Sequence, residues 1–143
     1  MILRRACSAV ALAFVVLLAA CEQMAEPNPT VPVDFQFGIH RIAIEPAFVV
    51  EPAGGKVRVR GSFTTPCQPY NATASADLSG NTLVLRVVGK ATGACPQDVV
   101  TSVAYQADVQ VASSMYSRLR VIHEWRDANW PAATVIDTAF ASN

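Results

Sequence analysis

The chain has 143 residues, of which 52% are hydrophobic and 15% are charged, and 11 basic residues balance 11 acidic ones. That length allows a single domain, and the high apolar content excludes a chain that stays disordered. Zero formal net charge excludes the surplus of clustered Lys and Arg on which nucleic-acid binding depends, so we expect no nucleic-acid partner.

The first 20 residues have the pattern of a secretory signal. Arg4 and Arg5 form a short basic start, and an apolar run of 15 residues follows from position 6 to position 20. A spanning helix needs about 20 apolar residues, so this run is too short to cross a bilayer comfortably and fits the apolar part of a signal peptide. We therefore predict that residues 1–20 are a signal that the mature protein lacks.

The signal closes with Leu18-Ala19-Ala20-Cys21, which resembles the lipobox of bacterial lipoproteins. The resemblance implies cleavage before Cys21, diacylglyceryl attachment to its sulfur and acylation, for example with palmitate, of the new amino terminus. Two or three acyl chains anchor a protein stably, so the chain is expected to sit on a membrane without crossing it. Glu22 stands where an Asp would favour inner-membrane retention, which favours the periplasmic side of the outer membrane. The alternative is an ordinary signal peptide that releases a soluble protein with a free Cys21.

The segment from 21 to 33 predicts a tether ahead of one globular domain. Pro27, Pro29 and Pro32 are spaced so that neither a helix nor a sheet ladder should use the segment. A stiff linker and plain disorder are the two alternatives for it. The domain is then predicted to span residues 34–143, and the mature chain, which has lost two arginines, carries a net charge of −2.

The rest of the chain alternates apolar and polar residues with a period of two, which is typical of half-buried strands. The clearest strand runs from Lys56 to Phe63. Further strands are predicted at 35–44 with a bulge at His40 and Arg41, at 47–50, 70–78, 82–88, 101–111, 118–125 and 133–140. About seven strands separated by turn residues predict an all-β fold, an antiparallel β-sandwich of immunoglobulin-like size, with a small closed barrel as the alternative.

Cys67 and Cys95 form an even pair, because Cys7 leaves with the signal and Cys21 carries the lipid. In an exported protein such a pair predicts a disulfide, and its wide separation is unlike the C-x-x-C spacing of redox pairs. The two cysteines lie in loops that emerge at the same end of the sheet if successive strands alternate in direction. The loop 126–132 falls at that end too, so three loops are expected to share one rim.

Tyr70 and Trp130 are the candidate binding residues of this rim. Trp130 lies in a polar loop beside Pro131, where an aromatic ring either folds back over the open end of the core or stands out as a contact residue. Tyr70 follows the loop of Cys67 and is predicted to join it.

A basic row and two histidines are weaker candidates. Lys56, Arg58 and Arg60 share the outer face of one strand, where we expect a solvated surface, or alternatively a site for an acidic partner or anionic headgroups. His40 and His123 belong to no metal-ligating pattern, and His123 alternates with apolar residues as a partly buried structural histidine does.

No nucleotide-binding loop or nucleophile motif occurs in the chain, so neither a catalytic residue nor a cofactor is predicted. The sequence favours a lipid-anchored, non-enzymatic envelope protein that binds another envelope protein through its rim. An inhibitor of a lysozyme- or protease-type hydrolase is one alternative. A metal-dependent envelope enzyme that uses both histidines is a second.

Overall fold

A computed structural model describes residues 28–39, 48–67, 69–94 and 100–140. These residues form two β-sheets packed face to face, which confirms the predicted sandwich; the sheets do not close into a barrel. The predicted bulge at His40 and Arg41 and the predicted lipidation of Cys21 concern residues outside the described ranges. The elements, in chain order, are β1 (Thr30–Val31), β2 (Val33–Phe37), β3 (Val49–Ala53), β4 (Lys56–Thr65), β5 (Tyr70–Ser79), β6 (Thr82–Ala91), β7 (Thr101–Val109), a 3₁₀ turn (Ser113–Met115), β8 (Arg118–Trp125) and β9 (Ala133–Ala139).

One sheet has the strand order β1-β5-β6-β8-β9 and the other β2-β7-β4-β3. Neighbouring strands are antiparallel, as predicted, apart from β6 and β8, which run parallel with Thr82 opposite Arg118 and Gly89 opposite Trp125. The exception has a simple cause. Strands alternate in direction along the chain, but β7 crosses to the other sheet, so β6 and β8 become neighbours although they point the same way.

The sandwich begins at Thr30, four residues before the predicted boundary at Asp34. Thr30 pairs with Asp77 in the five-stranded sheet, whereas Val33 pairs with Val109 in the four-stranded sheet. Pro32 lies between the two short strands, at the point where the chain changes sheets. A proline there removes no donor from either ladder, which is why this part of the proline-rich segment joins the sheets against expectation.

The core lies between the two sheets. It consists of the side chains at every second position of each strand, which point inward. Alternation places these side chains on one face because successive strand residues point to opposite sides. Burial of each large apolar side chain contributes about 1.5 to 3 kcal/mol relative to exposure. The side chains that are fully buried in this core include Val57, Val59, Phe63, Leu83, Leu85, Val87, Tyr105, Val109, Leu119 and Val121.

The two ends of the sandwich differ, and the strand registers fix which connections lie at each. At one end lie the connections 54–55, 80–81 and 110–117, and the chain enters the domain there at Asn28. We call this the entry end. At the other end lie the described residues of the connections that follow β4, β6 and β8, namely 66–67 and 69, 92–94 and 100, and 126–132, and we call this end the rim. The described parts of the three predicted loops therefore share one end of the fold.

Candidate functional site at the rim

Cys67, two residues after the end of β4, is 2% exposed and disulfide-bonded. The predicted partner, Cys95, lies outside the described residues, so the pairing of these two cysteines stays a prediction. A cross-link at this position fixes the start of the rim.

Hydrogen bonds tie the three rim connections to one another. The backbone N–H of Thr92 donates to the carbonyl oxygen of Pro69 over 3.1 Å. The backbone N–H of Ala91 donates to the Asp127 carboxylate over 2.7 Å. The first bond joins the loop after β4 to the loop after β6, and the second joins β6 to the loop after β8. The rim is therefore one connected surface.

Trp130 both folds back on the domain and remains exposed. Its ring packs edge-to-face on Trp125, with 5.4 Å between ring centroids and 70° between the planes, yet Trp130 is 38% exposed. Trp125 is itself fixed, because its indole Nε1–H donates to the carbonyl oxygen of Thr64 in the opposite sheet over 2.7 Å. These are the two tryptophans of the chain. The exposed indole of Trp130 thus packs on the ring of Trp125, which a hydrogen bond to the opposite sheet holds in place.

Tyr70 lies at the same end but faces inward. Its ring stacks on Phe63 with 6.2 Å between centroids, and Phe63 in turn contacts Trp125 at 5.2 Å. The Tyr70 hydroxyl is buried and has no hydrogen-bond partner among the described residues, and burial, with a smaller effect of Asp127, raises the pKa of Tyr70. The two predicted rim residues are therefore linked through Phe63 and Trp125, and Trp130 is the one that solvent reaches more freely.

Gly89 makes the close packing of these rings possible. A Cβ atom at this position of β6 would lie 2.5 Å from ring atoms of both Phe63 and Tyr70, which is closer than real Cβ contacts. This role is not predicted from the sequence, because the strand predicted at 82–88 ends one residue before Gly89, whereas β6 continues to Ala91.

His123 is a core residue, as the alternation predicted. It is 2% exposed, its Nε2 lies 3.1 Å from the Tyr105 hydroxyl, and its ring centroid lies 4.9 Å from that of Phe63. Burial lowers the pKa of His123 to about 4, so the imidazole is neutral at pH 7. His40 lies outside the described residues. Within the part of the chain that the structure describes, no group of three or more His, Cys, Asp or Glu is placed to hold a metal ion.

The basic row on β4 is paired with acidic side chains. Arg58 forms two hydrogen bonds of 2.7 Å with Asp108, and Lys56 Nζ lies 3.3 Å from the same carboxylate. Arg60 binds Glu51 at 2.9 Å. The hydrogen bond from Arg58 is the main reason that the pKa of Asp108 is lowered. The row is therefore a charge-compensated face and not a free basic surface.

The outer face of the five-stranded sheet is also compensated. Arg86 lies 3.7 Å from Asp77 and 3.8 Å from Glu124, and Arg120 lies 3.2 Å from Asp137. A shallow polar groove of about 190 Å³ on this face is lined by Asn28, Asp77, Ser79, Thr82, Val84, Arg86, Arg120 and Ile122. Its mixed charges do not define one kind of ligand.

Exposed large apolar side chains among the described residues lie at the two ends of the sandwich. Trp130 and Val100, which is 62% exposed and directly precedes β7, lie at the rim, and Met115, which is 54% exposed, lies at the entry end. Neither outer sheet face contributes one within the described ranges. Apolar contact with another molecule is thus available at the ends rather than on the sheets.

A scan against protein-family models found no matching family, and searches of curated proteins and of solved structures found no match either. Within the described ranges, no helix has the length and apolar character needed to cross a membrane. The functional argument therefore rests on the residues themselves.

Proposed function

We propose that this chain is a lipid-anchored bacterial envelope protein, favoured on the periplasmic side of the outer membrane, that acts as a non-enzymatic binding module. Its partner is another envelope protein, which it binds through the rim. The sequence from Leu18 to Cys21 supports the anchor. The observation that carries the binding role is the exposed Trp130, which Trp125 holds in place at the end opposite the chain entry.

A fixed, exposed indole suits a binding surface for an energetic reason. Binding costs about 0.5 to 1.5 kcal/mol for each flexible side chain that becomes immobilised, and a ring that is already held avoids most of this cost. Tryptophan is also among the residues most enriched in binding hot spots. Because Trp125 is locked to Thr64 across the sandwich, Trp130 is preorganised for contact.

The charge distribution supports an apolar contact at the rim rather than an ionic contact on a sheet. The carboxylate of Asp127 is engaged by the N–H of Ala91, and Arg58 on the four-stranded sheet is paired with Asp108.

Photo-crosslinking in cells tests the proposal. A photoreactive residue is placed at Trp130 and, as a matched control, at Ser75, which is exposed on the outer face of the five-stranded sheet. We expect one envelope protein to be captured from position 130 and not from position 75. Capture from position 75 alone would overturn the rim as the binding surface.

A second measurement separates binding from folding. Purified Trp130→Ala should bind the captured partner at least about tenfold more weakly, the loss of about 1.4 kcal/mol or more that marks a contact at the centre of an interface. The variant should unfold in urea near the wild-type midpoint, because Trp130 is partly exposed already. Unchanged affinity for the partner would contradict the proposal.

A further inference from the structure

The chain enters the sandwich at the end opposite the rim, and several contacts hold it there. The Leu78 N–H donates to the carbonyl oxygen of Pro29 over 3.2 Å, and Thr30 pairs with Asp77 near the end of β5. The Asn28 side chain donates to the Asp77 carboxylate over 3.4 Å. A membrane anchor ahead of Asn28 would therefore be connected to the domain at its entry end.

The chain between the predicted anchor and the domain is short relative to the domain. Seven residue steps separate Cys21 from Asn28, which span about 25 Å at full extension. The ten-residue strands β5 and β6 span roughly 30 Å, because a strand rises about 3.3 Å per residue. Lipid on Cys21 would thus keep the entry end within reach of the bilayer, while the rim lies one strand length further along the molecule.

The entry end carries no charge in its connections. The connections 54–55, 80–81 and 110–117 contain no Asp, Glu, Lys or Arg, and Met115 is exposed in the last of them. These turns bring no charge of their own to a headgroup region, and Lys56 and Arg118, which directly follow two of them, are paired with Asp108 and Asp137. A domain lying flat would instead press ion pairs such as Arg86 with Glu124 against the lipid, and desolvation of charged pairs is costly.

We propose that the sandwich stands end-on on the bilayer, with Met115 and the uncharged entry-end turns against the lipid headgroups and the rim facing the water. This inference rests on the proposed anchor at Cys21. The end-on orientation also limits the kinds of protein that can bind the rim. An end-on domain presents Trp130 to a protein that reaches it from the aqueous compartment, and not to a membrane-spanning segment alongside.

Quenching of tryptophan fluorescence by brominated lipid tests the orientation. The mature lipidated protein is incorporated into vesicles of phosphatidylethanolamine and phosphatidylglycerol, with and without bromine on the acyl chains. The wild-type chain is an internal control, because both of its tryptophans lie at the rim. Met115→Trp adds an indole at the entry end, and Ser114→Trp, at an exposed neighbouring position, guards against a folding defect of the first variant.

We expect the indole added at position 115 or 114 to lose a several-fold larger share of its emission in brominated vesicles than the wild-type tryptophans lose. Ser75→Trp and Gln36→Trp, on exposed positions of the two outer sheet faces, should behave like the wild type. Stronger quenching of a sheet-face indole, or of the wild-type tryptophans, would overturn the end-on orientation.

The mass of the amino-terminal peptide distinguishes a failure of the end-on orientation from a failure of the lipid anchor at Cys21. A peptide that begins at Cys21 and carries acyl chains, together with unquenched indoles at 115 and 114, would overturn the orientation and leave the anchor standing. A peptide without lipid would overturn the anchor itself, and the orientation that depends on it.

Discussion

The Tyr105 hydroxyl and the His123 Nε2 lie 3.1 Å apart and join the two sheets through one buried polar contact. Tyr105 is on β7 of the four-stranded sheet, and His123 is on β8 of the five-stranded sheet. Aromatic rings surround the imidazole, with Phe63 at 4.9 Å and Trp125 at 6.2 Å between centroids. Burial among these rings favours the neutral imidazole, because it penalises the charged form.

Acidification should destabilise the domain through His123. Its pKa is lowered to about 4 in the folded state, whereas the unfolded chain keeps the ordinary value of 6.5. The unfolded state thus binds more protons between these values, so the stability that His123 confers is complete above about pH 6.5 and is lost as the pH falls towards 4. The loss amounts to about 3 kcal/mol, at 1.36 kcal/mol per pKa unit.

Urea unfolding at pH 7 and pH 4.5 measures this effect, with His123→Gln as the control. The amide keeps a hydrogen-bonding group for Tyr105 and does not titrate. The variant should be less stable than the wild type at pH 7 but should lose less on acidification. Equal losses in the two proteins would assign the acid sensitivity to the carboxylates instead.

Alternation was sufficient to find most strands. The predicted range 118–125 coincides with β8, because Leu119, Val121 and His123 are buried while Arg118, Arg120 and Glu124 are not. Several strands run further than predicted, among them β4, which continues to Thr65, and β6, which continues to Ala91. Polar residues such as Thr65 gave no apolar signal, although Thr65 is fully buried and its hydroxyl lies 2.8 Å from that of Thr101.

Alternation could not assign strands to sheets. A strand with one buried face has the same alternating pattern in either sheet of a sandwich. The sequence of β7 therefore does not show that this strand belongs to the four-stranded sheet. The acidic partners of Lys56, Arg58 and Arg60 could not be predicted for the same reason. The alternation along β7 indicates only that Asp108 points outward, and its position opposite Arg58 makes it an ion-pair partner. At the rim, the location of Trp130 was predictable, whereas its contact with Trp125 depends on loop geometry that a pattern does not encode.

Substitution of Gly89 by alanine should destabilise the domain by about 1 to 3 kcal/mol, the usual cost of forcing extra atoms into a packed core. The added Cβ would lie 2.5 Å from the rings of Phe63 and Tyr70. Gly54→Ala is the control, because nothing lies within 4 Å of a Cβ at that position. Urea unfolding should show a lower midpoint for the first variant and a near-wild-type midpoint for the second. Equal midpoints would mean that the rings move aside freely.

Asp108→Asn should cost about 1.5 to 3 kcal/mol, the range for hydrogen bonds to charged groups, because Lys56 and Arg58 both lose a carboxylate that is only 9% exposed. Asp137→Asn is the matched control, since Asp137 also joins two arginines but at a more exposed site, where ion pairs contribute little. The lowered pKa of Asp108 adds a pH signature. Its contribution should be present at neutral pH and lost as the pH falls below the ordinary aspartate range, and Asp108→Asn should remove that part of the acid sensitivity.

Tyr70→Phe should leave the stability unchanged or raise it slightly. The hydroxyl is buried with no partner among the described residues, so its removal ends a desolvation cost without breaking a hydrogen bond. The stacking on Phe63 is retained by the phenyl ring. Thermal and urea unfolding of the variant measure this directly. A clear loss of stability would indicate that an ordered water or another group satisfies the hydroxyl in solution.

If Cys95 is the partner of the disulfide-bonded Cys67, reduction should destabilise the domain by about 3 to 4 kcal/mol, because a cross-link between positions 67 and 95 restricts the unfolded chain. Peptide mapping without reductant should recover one cross-linked pair that contains Cys67 and Cys95. Cys95→Ser should then lower the unfolding midpoint by as much as reduction does, and reductant should have no further effect on that variant. A wild-type map that joins Cys67 to another chain, or a Cys95→Ser variant that still responds to reductant, would contradict the predicted pairing.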